Sequence, residues 1–232
     1  VAGQLAAKPA LEARLAQRFW FLDPSKRLVL VTGHRRENFE GGLARVCGTL
    51  AEIARERGDV EVVYPVHPNP KVQQVARATL AGCPGVHLIA PQEYLPFVYL
   101  MRRAYLIVTD SGGIQEEAPG LGKPVLVTRD TTERPEAIEA GTARLVGASG
   151  EGLRAALTEL LDTPRAYAAM AQARHAFGDG QAARRIARRL LQSGGTGEKS
   201  ADRAPPARRT GGRGAVRVAA PPHIVSVTEA GV

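Results

Sequence analysis

AYLIVTDSGGIQEEAPGLGKPVLV, residues 104–127, holds two apolar runs separated by a short polar segment that begins near two adjacent glycines. The first run has the continuous apolar character of a strand buried in a parallel sheet, and GIQEEAPGLG has the character of a short helix that begins where the strand stops. A further apolar run, PVLV, follows the helix. A strand, a helix and a second strand in this order predict a right-handed crossover between parallel strands.

The same alternation extends over most of the chain. Six short apolar runs occur, RLVLVT, VEVVYPV, VHLIA, YLIVT, PVLVT and ARLVG, and segments with helical spacing separate most of them. In GGLARVCGTLAEIARE the apolar positions fall on one helix face; they are Leu43, Val46, Cys47, Leu50, Ile53 and Ala54. We therefore expect an α/β fold, with a Rossmann-like parallel sheet and helices on both faces. Such sheets bind ligands beyond the carboxyl ends of their strands.

Three segments are expected along the chain. Residues 1–25 form a helical lead-in, residues 26–192 form the Rossmann-like domain, and residues 193–232 form a basic tail rich in Gly and Pro. We predict that the tail is disordered, because it contains few apolar residues. The chain begins at Val1 rather than Met, which suggests an alternative start or a fragment of a longer protein.

Composition and charge narrow the classes of function. The net charge is +8, but residues 193–232 carry six Lys or Arg against three Asp or Glu, and the aromatic residues, only 5% of the chain, do not interleave with basic ones. The sequence thus shows no stacking platform for bases, which argues against nucleic-acid binding. No apolar run has the length of a membrane-spanning helix, so no membrane partner is expected. Cys47 and Cys83 form no ligand pattern, and a reduced, cytoplasmic setting is the simplest interpretation.

The junction after AYLIVT has the residues of an anion site. Ser111, Gly112 and Gly113 stand there; glycine lets the backbone approach a bound group closely, and the free N–H groups of a first helical turn attract phosphate. Glu116 and Glu117 lie about 100° apart around a helix, so only one is expected to face a ligand, where it could accept both hydroxyls of a ribose. The segment could therefore bind a nucleotide, with its phosphates at the glycines and its sugar further along the helix. An ordinary turn with solvated glutamates is the alternative.

Other strand ends at the same predicted edge carry polar or basic residues. They are His34 and Arg35 after the first run, His67 after the second, Gln92 and Phe97 after the third, and Arg134 after the fifth. A histidine can donate to phosphate or transfer a proton, and an arginine can bind phosphate through two N–H groups. A lone histidine or arginine at such a place is more often a solvated loop residue, His67 can serve loop rigidity alone, and Tyr94 and Phe97 have the spacing of core positions. The convergence of His34, Ser111 and Arg134 on one edge nevertheless favours a phosphate-bearing ligand.

Five segments are long and specific: VTGHRREN, YPVHPNP, PQEYLPFVYLM, TDSGGIQEEAPGLGKPVLVTRDTTERPEA and GDGQAARRI. Together they resemble the bacterial non-hydrolysing UDP-N-acetylglucosamine 2-epimerases, without evident gaps from about Lys26 to Leu190. The resemblance implies a GT-B architecture, in which two Rossmann-like halves close on a UDP-sugar. This chain is similar to the carboxyl-terminal half.

The resemblance also implies roles for single residues. Seven residues match positions that bind UDP: Ser111, Gly112, Gly113 and Arg134 at the diphosphate, Glu117 at the ribose, and Gln92 and Phe97 at the uracil. His34 matches a histidine among the active-site residues of the family. Arg35 and His67 match positions that contact a second, regulatory UDP-sugar in some members.

The family's reaction interconverts UDP-N-acetylglucosamine and UDP-N-acetylmannosamine at C2, by elimination of UDP and its re-addition from the other face. The resemblance implies no cofactor, no metal, and a homodimer when the protein is complete. It places the catalytic carboxylates in the amino-terminal Rossmann-like domain, so we expect this chain to be inactive by itself. A non-catalytic UDP-sugar binding module and half of a GT-B glycosyltransferase stay open as alternatives.

Overall fold

The computed structural model describes residues 8–38, 41–172 and 177–194, and within them the chain forms one six-stranded sheet. The strands are β1 (Arg27–Thr32), β2 (Val60–Pro65), β3 (Val86–Ile89), β4 (Leu106–Thr109), β5 (Val125–Val127) and β6 (Ala143–Leu145). Their order is β3-β2-β1-β4-β5-β6, and every neighbouring pair is parallel. Each apolar run of the sequence forms one strand, so the predicted parallel α/β sheet is confirmed.

Helices connect the strands and cover the sheet on both faces. They are α1 (Pro9–Arg18), α2 (Gly42–Glu56), α3 (Pro70–Leu80), α4 (Tyr94–Arg103), α5 (Gly112–Glu117), α6 (Pro135–Glu139), α7 (Gly150–Asp162) and α8 (Pro164–Met170), and the chain then continues into a further helix, α9 (Ala182–Gly194). Two short 3₁₀ turns, Arg36–Asn38 and Pro119–Leu121, follow β1 and α5. Across the described residues, no helix combines the length and apolarity needed to cross a membrane.

The two faces of the sheet bury separate apolar clusters, because successive side chains of a strand point to opposite faces. In β1, Val29 and Val31 pack in the cluster that includes α2, α3 and α7, whereas Leu28 and Leu30 pack in the cluster that includes α1 and α4. The apolar stripe predicted for α2 is fully buried, as its spacing indicates. The sheet is therefore covered on both sides, and ligands have access only at its ends.

The lead-in helix α1 packs against the sheet. Leu15 and Phe19 lie in the same buried cluster as Leu28, and the ring of Phe19 stacks on Tyr99 of α4 with centroids 5.7 Å apart. The chain divides after Ala183 into two units, and in the second the structure describes residues 184–194, most of α9. The predicted boundaries at residues 26 and 192 stay predictions. From residue 195 onwards the predicted tail lies outside the described residues.

The strand order places a topological switch point between β1 and β4. Strands β2 and β3 lie on one side of this pair, and strands β5 and β6 lie on the other. The loops after β1 and β4 therefore leave the sheet in opposite directions and open a crevice between them. Thr32 ends β1 and Thr109 ends β4, and their hydroxyls lie 2.5 Å apart at the floor of this crevice. Ligands of doubly wound sheets bind in a crevice at this position.

Gly152 in the first turn of α7 packs closely against Val146 and Ser149, and a substitution there tests this contact. A Cβ at this position would lie 2.7 Å from the carbonyl oxygen of Val146 and 2.9 Å from the hydroxyl of Ser149. We expect Gly152→Ala to lower the free energy of unfolding by about 1–3 kcal/mol, because the backbone carbonyl must move. In α2, a Cβ at Gly48 meets nothing within 4 Å. Gly48→Ala should raise the free energy by about 0.5–1 kcal/mol. Urea unfolding measures the free energy of both variants. If the two substitutions changed it equally, the close contact at Gly152 would be contradicted.

Candidate functional site

A cleft of about 240 Å³ lies beyond the carboxyl ends of the strands at the switch point. Five of the residues predicted from the sequence line it, namely His34, His67, Gln92, Phe97 and Ser111. They come from the loops after β1, β2, β3 and β4 and from α4. The fold thus brings together side chains that are far apart in the sequence, at the edge where a ligand is expected.

Two histidines meet at one wall of the cleft. The rings of His34 and His67 are stacked, with centroids 5.3 Å apart and an interplanar angle of 19°. His67 accepts a hydrogen bond from the backbone N–H of Asn69 at Nδ1, over 3.2 Å, so its proton belongs on Nε2 when the ring is neutral. The Nδ1 atom of His34 lies 3.2 Å from Oδ1 of the buried carboxylate Asp110.

Gln92 and Phe97 form the part of the cleft beyond β3. Phe97 is half-buried, packs on the apolar cluster beneath α4 and also lines the cleft. The Gln92 amide donates to the carbonyl of Ala90 over 2.6 Å, which fixes its orientation. Its oxygen, Oε1, is buried and has no hydrogen-bond partner within the described residues. A buried acceptor without a donor is costly, so this oxygen favours a ligand that carries an N–H group.

Arg134 lies over the glycine pair at the start of α5. Its guanidinium carbon is 3.8 Å from the place that a Cβ of Gly112 would occupy. Glu116 binds Nε of this arginine, and Nη1 donates to the carbonyl of Glu133 over 3.0 Å. Ser111 is the N-cap of α5 but its side chain makes no capping hydrogen bond. The hydroxyl and the oriented guanidinium are therefore available to an anion beside Gly112 and Gly113.

A partly buried chain of hydrogen bonds connects this helix to the loop that carries Arg134. Gln115 is fully buried, and its amide donates to the carbonyl of Ser111 over 3.1 Å. Its oxygen accepts from the hydroxyl of Thr132 over 2.6 Å, and that hydroxyl accepts from the backbone N–H of Arg134 over 3.0 Å. Sequence reasoning did not identify Gln115 or Thr132, because their partners lie on another loop.

Glu117 lies one turn into α5, outside the lining of the cleft. The hydroxyl of Tyr94 donates to its Oε2 over 2.7 Å, and this hydrogen bond raises the pKa of Tyr94. Tyr94 is 55% exposed, so the core position that its spacing suggested is wrong. Tyr94 is the first residue of α4, and from this position its hydroxyl reaches Glu117 of helix α5. Of the two adjacent glutamates, Glu116 is engaged by Arg134 and Glu117 by Tyr94.

Arg35 does not line the cleft. Its guanidinium lies 3.9 Å from Oε1 of Glu133, which also accepts two hydrogen bonds from Arg129. These bonds from Arg129 lower the pKa of Glu133 to about 2, so its carboxylate is charged at neutral pH. The structure therefore places His67 on the cleft but directs Arg35 toward the loop after β5. The second, regulatory sugar site predicted for this pair stays a prediction.

Asp110 is a further residue of the site that sequence reasoning missed. It follows β4 directly and is 1% exposed. Its Oδ2 accepts the backbone N–H groups of His34 and Arg35, each over 2.8 Å. An acidic residue after a buried strand is the only signal in the sequence. Within residues 8–38, 41–172 and 177–194, no group of three or more His, Cys, Asp or Glu side chains is arranged to hold a metal ion.

A doubly wound parallel sheet with an oriented arginine, a serine hydroxyl that does not cap its helix and a glycine pair at its switch point defines a class, the Rossmann-like domains. The sequence model of the UDP-N-acetylglucosamine 2-epimerase family matches residues 3–191. The chain belongs to this family.

Individual relatives agree with this assignment. The UDP-N-acetylglucosamine 2-epimerase of Yersinia pestis is 58% identical over 182 residues, which are 78% of this chain and 48% of the relative. The enzyme of that name from Escherichia coli K12 is 53% identical over 186 residues, 80% of this chain and 50% of the relative. The chain therefore spans about half the length of these curated relatives.

Solved structures give the same result for the fold. UDP-GlcNAc 2-epimerase from Neisseria meningitidis, bound to UDP-GlcNAc, matches with a TM-score of 0.79 and 42% identity, over 82% of this chain and 52% of that chain. The C-terminal domain of a group 1 glycosyl transferase from Francisella tularensis matches with a TM-score of 0.54 and 15% identity, over 70% of this chain and 88% of that domain. The second similarity concerns the fold alone. The predicted half of a GT-B fold is confirmed.

Proposed function

We propose that the chain is the UDP-binding half of an enzyme that interconverts UDP-N-acetylglucosamine and UDP-N-acetylmannosamine. The reaction is epimerisation at C2 through elimination and re-addition of UDP. The observation that carries the proposal is the single cleft in which His34, Gln92, Phe97 and Ser111 meet beside Arg134. The Neisseria structure, named as bound to UDP-GlcNAc, supports the choice of ligand.

The diphosphate binds at Ser111, Gly112 and Gly113 in this proposal, with Arg134 above it. Elimination of UDP places additional negative charge on the departing diphosphate, and an arginine already held by Glu116 can stabilise that charge without reorganising. The free hydroxyl of Ser111 donates to a phosphate oxygen. The same contacts hold UDP in place between elimination and re-addition.

The uridine end extends from the glycines toward α4. Phe97 packs against the base, and the unpartnered Oε1 of Gln92 accepts the N–H of uracil. Glu117 accepts the hydroxyls of the ribose, and the hydrogen bond from Tyr94 keeps its carboxylate turned toward α4. A hydroxyl pair that meets a charged acceptor distinguishes ribose from deoxyribose.

His34 contacts the reacting sugar or the phosphate next to it. Inversion at C2 removes a proton from one face and returns one to the other, so it requires at least two positioned groups. The resemblance assigns the carboxylates of this reaction to the amino-terminal Rossmann-like domain of the family. We therefore propose that domain as the partner of this chain, and a homodimer of the two-domain enzyme. A cytoplasmic location agrees with the two free, buried cysteines.

One experiment tests the function and its alternatives together. The chain, combined with the amino-terminal half of the Yersinia relative, is incubated with UDP-N-acetylglucosamine, and the configuration at C2 is followed by proton NMR. Formation of UDP-N-acetylmannosamine supports the epimerase. UDP binding without conversion favours the binding module, and transfer of the sugar to an added acceptor favours the glycosyltransferase.

Glu117→Gln tests the ribose contact. The change keeps the shape of the side chain but removes the charge from its hydrogen bonds, which is worth about 1.5–3 kcal/mol. We expect the dissociation constant for UDP to rise about 10- to 100-fold, measured by calorimetry on the chain combined with the amino-terminal half. We also expect the preference of the wild-type site for UDP over deoxyuridine diphosphate to disappear.

The control is Glu139→Gln at the end of α6, an exposed carboxylate at the far end of its helix from Arg134. This variant should bind UDP like the wild type. If Glu117→Gln keeps the wild-type affinity, and the wild type binds deoxyuridine diphosphate as well as UDP, then Glu117 does not bind the ribose.

A further inference from the structure

The carboxylate of Asp110 is buried at the switch point and connects the loops after β1 and β4. Its side chain is 1% exposed, and it directly precedes Ser111 of the cleft. A buried carboxylate is costly unless hydrogen bonds compensate the loss of water. The donors that reach each of the two oxygens therefore show which part of the site the carboxylate holds in place.

All of the hydrogen bonds to Asp110 within the described residues reach one oxygen, Oδ2. The backbone N–H groups of His34 and Arg35 donate to it over 2.8 Å each. The side-chain amide of Asn38 adds a longer contact of 3.4 Å and also donates to the carbonyl of Thr128 over 3.3 Å. Oδ2 thus fixes the backbone of the loop after β1.

The other oxygen, Oδ1, is buried and has no hydrogen-bond partner within the described part of the chain. The nitrogen Nδ1 of His34 lies 3.2 Å from it, without the alignment of a hydrogen bond. Contacts of this kind commonly tighten when a ligand binds. His34 also lines the cleft, so its ring lies between the carboxylate and the ligand space.

We propose that Asp110 is a positioning residue for His34: its Oδ1 keeps the proton of the neutral imidazole on Nδ1, so that Nε2 carries the lone pair and faces the cleft. The hydrogen bond at one ring nitrogen determines the state of the other. Nε2 is then ready to accept a proton during the reaction. The part of this inference that concerns turnover rests on the proposed function, whereas the part that concerns the tautomer does not.

Asp110→Asn is expected to change the tautomer of His34, because the amide places a donor where the carboxylate has the acceptor Oδ1. The Oδ2 position must remain an acceptor, because two backbone N–H groups point at it. The amide oxygen of asparagine therefore takes this position, and its NH₂ group takes the position of Oδ1. The NH₂ group donates to Nδ1 of His34, which must then be unprotonated, so the proton moves to Nε2.

The experiment is a long-range proton–nitrogen correlation spectrum of the ¹⁵N-histidine-labelled 232-residue chain at about pH 9, well above the usual imidazole pKa near 6.5. The wild type should show His34 protonated on Nδ1. His67 should show the opposite tautomer in the same spectrum, because its Nδ1 accepts from Asn69. In Asp110→Asn the proton of His34 should move to Nε2, while His67 stays unchanged.

The matched control is Asn38→Ala, which removes the outer contact to Oδ2 and leaves Oδ1 as it is. It should leave the tautomer of His34 unchanged. A wild-type spectrum with His34 protonated on Nε2 overturns the proposal, and this measurement does not depend on the folding of any variant. An unchanged His34 in a folded Asp110→Asn chain also overturns it, since a carboxylate that only fixes the loop does not select a tautomer.

Turnover provides the second readout, in the chain combined with the amino-terminal half of a relative. Asp110→Asn should lower kcat about 10²- to 10⁴-fold and change KM less than about threefold, because the wrong ring nitrogen then faces the sugar. A change in KM with an unaltered kcat overturns the positioning role. A changed tautomer with full turnover supports the positioning of the ring and overturns the proposed role of His34, so the two failures are distinguishable.

Discussion

His34→Asn is expected to lower the rate of epimerisation about 10²- to 10⁴-fold in the chain combined with an amino-terminal half, because a positioned proton-transfer group contributes this much. The free energy of unfolding should change by about 1 kcal/mol or less. The imidazole is 39% exposed, and the hydrogen bond from residue 34 to Asp110 Oδ2 comes from the backbone, so the substitution keeps it. Proton NMR at C2 measures turnover, and thermal unfolding measures stability.

His87→Gln is the matched histidine control. His87 lies on β3 at the edge of the sheet, where its Nε2 is 3.3 Å from Oε2 of the buried Glu61. The amide of glutamine keeps an N–H group near that carboxylate, and the residue does not line the cleft. Turnover in this variant should equal that of the wild type. Full epimerisation by His34→Asn with unaltered substrate affinity would show that His34 is only a loop residue.

The sheet could be predicted from the sequence because strands buried on both faces read as continuous apolar runs. Strands β1, β2, β4 and β5 are buried in this way, whereas β3 and β6 at the two edges of the sheet are only partly buried. The helix stripe on α2 follows from local spacing alone. Two residues depart from local pattern. Glu61 lies in the apolar run of β2 and is buried beside His87, and Tyr94 has core spacing but is exposed. In both cases a partner from another element decides the position.

The sequence could predict that several candidate residues lie together, because the carboxyl ends of parallel strands meet at one edge. Local reasoning selects candidates there but does not show what orients them. Asp110 and the backbone N–H of His34 are 76 residues apart in the sequence, and Gln115 and Thr132 also act through a distant loop. Hydrogen bonds of this kind leave no periodic signal. The positioning residues of a site are therefore less predictable from sequence than its ligand contacts.

The 232-residue chain is expected not to epimerise by itself, although UDP should bind to it weakly. It spans about half the length of its relatives, and the resemblance places the carboxylates of the reaction in the other half. The described cleft holds the residues proposed for the uridine and the diphosphate, and of its two histidines only His34 is proposed to contact the sugar. Without the second half, the sugar lacks both the acid–base partner and the enclosure that excludes water.

Three samples decide this prediction, each followed by proton NMR at C2 of UDP-N-acetylglucosamine. They contain the chain alone, the chain mixed with the amino-terminal half of the Yersinia relative, and a single-chain fusion of the two, in which the halves need not find each other in solution. We expect no conversion in the first sample and conversion in the fusion, and the mixture reports whether the halves associate unaided. UDP-N-acetylmannosamine from the chain alone would require a carboxylate base within this half. A folded fusion that binds UDP but converts nothing would favour the binding module, because every group that the family needs would then be present.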